Sequence, residues 1–182
     1  IRDSRSGLLS PVDVAAELLD TIAEVNAEIN AYCLVDPDTT MGAARESAAR
    51  YAASAARGPL DGVPVSIKDL LLTDGWPTLR GSLTITPEAQ PWDVDAPAVA
   101  RLREAGAVPL GKVTTPEFGW KGVTDSPRTG VTRNPWSPDR TSGGSSGGSA
   151  AALAAGLGPL SVGTGGGGPI PLPAAVCGSV GV

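Results

Sequence analysis

Two short apolar segments that do not alternate in polarity, "GVPVSIKDL" (62–70) and "VPLGKV" (108–113), most constrain this fold. The first reads as a buried strand running into a turn and the second as a short strand, and helical patterning surrounds both. Ser10-Pro11-Val12-Asp13 opens a helix, with Ser10 as N-cap, Pro11 at the first helical position and Asp13 completing a capping-box-like pair. Val14, Leu18, Ile22, Val25 and Ile29 then form one apolar stripe. "AYCLVD" (31–36) and "PLSVG" (159–163) read as further strands. Helices are expected over 39–57, stopping at Gly58-Pro59, over 95–107, over 148–155, and as a short one from Pro173. Thr115-Pro116-Glu117 starts another helical turn, and 121–142 reads as a long loop pinned by Trp120 and Trp136. Helices alternating with short apolar strands imply an α/β class, with one sheet covered on both faces. No internal repeat interrupts it. The final "CGSVGV" carries no cap or turn. Residues 1–182 are therefore expected to be the N-terminal part of a single longer domain, with one sheet edge unpaired.

A chain of 182 residues with 41% hydrophobic content builds a real core, burying roughly 70% of its unfolded surface. A net charge of −5 without a basic stripe argues against a nucleic-acid partner. No apolar run approaches the about 18 residues of a membrane span. The only cysteines, Cys33 and Cys177, are far apart, which fits two buried thiols in a reducing cytoplasm. The chain has no histidine. Ser-His-Asp and Cys-His catalysis are thus excluded, as is zinc held by His and Cys, and no metal or organic cofactor is expected. Any hydrolytic base must be Lys, Asp, Glu or Tyr.

Two glycine patterns imitate phosphate sites. Gly106 to Lys112 fits the start of a P-loop, but Val113 follows where a magnesium-ligating hydroxyl belongs. Gly163, Gly165 and Gly168 satisfy GxGxxG, yet "PIPLP" follows instead of a helix N-terminus suited to pyrophosphate. Three other stretches carry more. "DGVPVSIKDLLLTDGWPT" (61–78), "GVTRNPWSPDRTSGGSSGGSAAALAAG" (130–156) and "GTGGGGPIPLPAAVCG" (163–178) resemble, in order and spacing, the amidase signature family. Members of that family are serine hydrolases of carboxylic amides with a Ser–Ser–Lys triad. The resemblance covers almost the whole chain and implies an α/β/α layered fold with a mixed sheet, incomplete here.

By that resemblance Lys68 is the catalytic lysine. On the residues alone, a base desolvated behind an apolar strand and a surface lysine paired with Asp69 both stay open. Ser145, 77 positions after Lys68, matches the serine that shuttles a proton between lysine and nucleophile, preceded in the family by a cis peptide bond. Gly166, Gly167 and Gly168 match the backbone of the oxyanion hole. The loop departs from the family at three places. Gly165 stands for an aspartate, Pro171 for an arginine, and Pro169 for the nucleophilic serine. Pro169 removes both the attacking hydroxyl and one N–H donor, and neither Thr164, Ser145 nor Ser146 is placed to replace it. The resemblance implies hydrolysis of a small-molecule amide through an acyl-serine. Pro169 implies that this chain is inactive, and the alternative is a non-catalytic binding or assembly module that keeps the pocket. An open sheet edge also predicts poor solubility or homo-oligomerisation.

Overall fold

The computed structural model describes residues 8–165, 168 and 170–182. Helix α1 spans Pro11–Ile29. The Ser10 hydroxyl accepts from the Val12 amide at 3.1 Å and caps it, while Asn30, in the left-handed region at φ 55°, ends it. Strand β1 follows at Tyr32–Val35 and helix α2 at Pro37–Ala52. Helix α2 starts earlier than the sequence suggests. Asp36-Pro37 repeats the arrangement of Ser10-Pro11, with the Asp36 carboxylate accepting from the Thr39 amide at 3.1 Å. It also stops before Gly58, because Ser54 turns left-handed and the Ala55 amide bonds back to the Arg50 carbonyl at 2.8 Å.

Strand β2 (Pro64–Lys68) is buried along its whole length. Helix α3 (Pro97–Glu104) leads into β3 (Val108–Val113), also wholly buried. The stretch expected as one loop folds into two small hairpins, β4 (Asp125–Ser126) with β5 (Gly130–Val131), and β6 (Arg133–Asn134) with β7 (Ser137–Thr141). Trp136 does pin this region, donating from Nε1 to the Cys177 carbonyl at 2.7 Å, whereas Trp120 is 91% exposed. Helix α4 (Gly147–Ala154), strand β8 (Leu160–Val162) and helix α5 (Pro171–Cys177) complete the described chain.

The main sheet has the order β1-β3-β2-β8 and is mixed. Strands β3, β2 and β8 run parallel, and β1 is antiparallel to β3. Adjacent strand residues face opposite sides. Ile67 therefore packs with Leu34, Trp76 and Val99 on the α3 side. Tyr32, Leu110 and Val113 pack with Ile22, Ile29, Ala151 and Ala152 on the α1 and α4 side, the side that Lys68 also faces. A bulge in β3 skips Leu110, so that Val65 pairs Pro109 but Ser66 pairs Gly111. Strand β8 lies at one edge of the sheet. Of the two cysteines, Cys177 is buried as expected, but Cys33, an extra residue in the β1–β3 register, is exposed.

A buried carboxylate fixes the approach to β2. Asp61 accepts from Arg50 at 2.7 and 3.0 Å, from the Ser47 hydroxyl at 2.7 Å and from the Arg57 amide at 2.7 Å. Burial alone would raise its pKa. The Arg50 guanidinium and the other donors outweigh burial and hold it down to about 2. That stabilisation is present above the ordinary carboxylate range and is lost as pH falls through the folded-state value. Asp61→Asn is expected to cost about 3 kcal/mol at pH 7. In melts at several pH values, the advantage of the unsubstituted chain should shrink by about 2 kcal/mol as pH falls from about 4 to 2.

Candidate active site

Lys68 ends β2 and points into the interior at 0% exposure. Its Nζ lies 2.7 Å from Ser145 Oγ, 2.9 Å from Ser146 Oγ and 3.4 Å from the Thr164 carbonyl oxygen. No carboxylate lies within ion-pairing distance of it among the described residues. Burial, with no opposing anion, pulls the amine down to about 7. Lys68 is thus poised between its charged and neutral forms near neutrality.

Asp69, the alternative partner, is engaged elsewhere. It meets the Nζ of Lys112 at 3.1 Å, and its other oxygen accepts from the Arg80 amide at 2.9 Å. Lys112, also at 0% exposure, further donates to Thr78 Oγ1 at 2.7 Å and the Leu71 carbonyl at 3.0 Å. Here burial drives lysine down and aspartate up, and each is opposed by the partner's charge. The surface-lysine reading of Lys68 is therefore corrected: it is buried, and the ion pair of Asp69 is with the next lysine, across the sheet.

The serines arrive on the segment that leads into α4. The Gly144–Ser145 peptide bond is cis. Ser145 is 4% and Ser146 2% exposed, and the Ser145 carbonyl accepts from Thr115 Oγ1 at 3.3 Å. Ser146 Oγ donates to the Thr164 carbonyl at 3.1 Å and accepts from the Thr164 amide at 3.3 Å, joining this segment to the second glycine loop. Of that loop's expected site residues, Gly168 is exposed at φ 97°, and its carbonyl accepts from the Leu172 amide at 3.0 Å. Gly166, Gly167 and Pro169 lie outside the described residues. The sequence brought Lys68 and Ser145 to notice, but not the contacts of Thr115 and Ser146 with them. A threonine on a loop carries no periodic or motif signal, whereas Ser146 sat in plain view beside Ser145.

A family model described as Amidase matches residues 13–182. The chain belongs to the amidase signature family. Among curated amidase-family relatives, a glutamyl-tRNA(Gln) amidotransferase subunit of Thermobifida fusca is 47% identical over 176 residues, 97% of this chain and 35% of that protein. An acylamidase of Rhodococcus erythropolis is 42% identical over 177 residues, again 97% of this chain and 37% of the relative. The native peptide amidase of Stenotrophomonas maltophilia superposes with a TM-score of 0.89 at 34% identity, covering 97% of this chain and 37% of that structure. The chain thus spans little more than a third of the relatives it matches, and its sheet is part of the amidase-signature fold. No described helix is long and apolar enough to cross a membrane.

Between pH 7 and the ordinary lysine value, the unfolded chain binds a proton at Lys68 that the folded chain does not, so stability rises with pH across that window. Relative to a Lys68→Met variant, the unsubstituted chain should gain up to about 1.4 kcal/mol per pH unit from pH 7 upward. Paired denaturant titrations at pH 7, 8 and 9 read this difference directly.

Proposed function

We propose that this chain carries the proton-relay half of an amidase that cleaves the C–N bond of carboxylic amides, and that it lacks the nucleophile such an enzyme needs. The observation that carries the reading is the 2.7 Å contact between Ser145 Oγ and a buried lysine amine that has no carboxylate beside it among the described residues. In an amide hydrolase of this type, neutral Lys68 takes the Ser145 hydroxyl proton while Ser145 takes one from the attacking alcohol. Reversal of the same relay returns a proton to the leaving nitrogen, and water then repeats the sequence on the acyl ester. Backbone N–H groups at Gly166, Gly167 and Gly168 would face the oxyanion. The residue types needed are serines, a lysine and glycine backbone, with no metal or organic group assigned a step.

Pro169 stands at the nucleophile's place in the sequence, with Gly165 and Pro171 replacing the family's aspartate and arginine. Losing a serine nucleophile costs on the order of 10⁶ in turnover, and losing one oxyanion donor costs about 10²–10³ alone. The chain therefore forms no acyl-serine. Each of the three replacements is reachable by a single base change, which favours descent from an active amidase. A second reading rests on the pair itself. A pocket that keeps its base and bridging hydroxyl without a nucleophile suits a binding or assembly module for an amide, in keeping with the amidotransferase-subunit relative. The substrate of the amidase reading is a small-molecule amide, the module would hold an amide or carboxylate as ligand, and the reducing cytoplasm suggested by cysteine usage remains the proposed location.

The decisive experiment uses a serine-reactive fluorophosphonate and an aryl amide. The chain as it stands should show neither labelling nor turnover. A full-length protein containing this segment with Pro169→Ser, Gly165→Asp and Pro171→Arg should show both, and Lys68→Ala should then abolish them. Labelling of the unsubstituted chain would sink the proposal, and tight amide binding without turnover would favour the module reading.

A further inference from the structure

Helix α4 has no cap of its own. Its N-cap residue, Ser146, makes no side-chain hydrogen bond to the helix backbone, and its hydroxyl is instead engaged by Lys68 and Thr164. The missing cap comes from 23 residues earlier in the chain. Thr124 Oγ1 accepts from the Gly147 amide at 3.0 Å and donates to the Gly143 carbonyl at 2.8 Å. One hydroxyl, on a residue 2% exposed, thus joins both ends of the loop that carries Ser145. The approach is close enough to dictate sequence: a Cβ on Gly147 would lie 2.3 Å from Thr124 Oγ1, and one on Gly144 would lie 2.6 Å from the Val123 amide nitrogen. Thr124 is itself anchored, since its carbonyl accepts from the Thr132 amide at 2.9 Å and the Thr132 hydroxyl meets that of Thr114 at 2.6 Å.

We propose that Thr124 is a positioning residue for the Lys68–Ser145 pair, its hydroxyl closing the 143–147 loop from outside and so holding Ser145 over the amine. This rests on the reading of Lys68 as a base. The loop is also the lid over that amine, because Ser145 and Ser146 fill the space in which water would otherwise solvate it. Opening the loop readmits water and restores the ammonium form.

The test compares the 182-residue chain with its Thr124→Val and Thr124→Ser variants. Lys68 is titrated by competitive acetylation with acetic anhydride and mass spectrometry, and folding is checked by circular dichroism. The unsubstituted chain and Thr124→Ser should titrate near pH 7. Thr124→Val removes the hydroxyl at nearly constant shape, and its acetylation of Lys68 at pH 7 should fall about fivefold, as for a rise of one pH unit in the midpoint. A folded Thr124→Val with an unchanged midpoint overturns the proposal, because a purely structural threonine lowers the melting temperature without moving the amine. Should Thr124→Val fail to fold, amide hydrogen exchange on the unsubstituted chain decides. Gly147 N–H is expected to be protected like the interior amides of α4, and exchange at open-loop rates overturns the staple. If Lys68 of the unsubstituted chain titrates in the ordinary lysine range, the base reading fails, and Gly147 exchange still judges the staple separately.

Discussion

An amine buried against hydroxyls instead of a carboxylate is the constraint around which the molecule is arranged. Removing an ammonium from water without an anion costs several kcal/mol, which the group escapes by releasing its proton. The contrast with Lys112 is internal to the same sheet. Both lysines are at 0% exposure on paired strands, yet Lys112 sits 3.1 Å from Asp69 and Lys68 sits 2.7 Å from Ser145. One is an ion pair holding the turn after β2, and the other is an amine that burial pulls down to about 7. The neighbouring residue type alone separates them.

Such an arrangement needs backbone to come unusually close to backbone, and the glycines and alanines of α4 make this feasible. A Cβ on Gly148 would meet atoms of Thr114 at 2.4–2.5 Å, so the helix start rests directly on the segment following β3. Ala151 and Ala152 continue the same face into the core beside Leu110 and Val113. The helix therefore brings Ser145 and Ser146 within hydrogen-bonding reach of a strand-end lysine. A bulkier helix would stand off from the sheet and leave water in the gap, and a solvated Lys68 would stay charged at neutrality.

Much of this was legible in the chain. Non-alternating strands between helices gave the α/β class, and Ser145, 77 positions after Lys68, marked the pair that the fold brings together. Helix ends were less legible. The Asp36 cap is masked because Asp36 also closes an apolar strand run, and the left-handed turn at Ser54 has no glycine to announce it. The partner of Asp69 was not readable at all, since adjacency to Lys68 in sequence places the two on opposite faces of the sheet. The roles of Thr115 and Thr124 depend on contacts 30 and 23 residues distant, which no local pattern encodes.

The bulge that skips Leu110 in β3 has a consequence for those two lysines. Continuing the Pro64–Val108 and Val65–Pro109 pairings without the offset would set Lys112 beside Lys68, on one face and about 5 Å apart. Like charges would then crowd a single compartment, and Asp69 would be stranded without a counter-ion. The extra residue instead sends the two amines to opposite sides. It is accommodated by Gly111, at φ 155°, where a Cβ would fall 2.2 Å from the Leu34 carbonyl oxygen. A single-residue offset in one strand thus works as an insulator, keeping the molecule's structural cation and its titrating one out of each other's field.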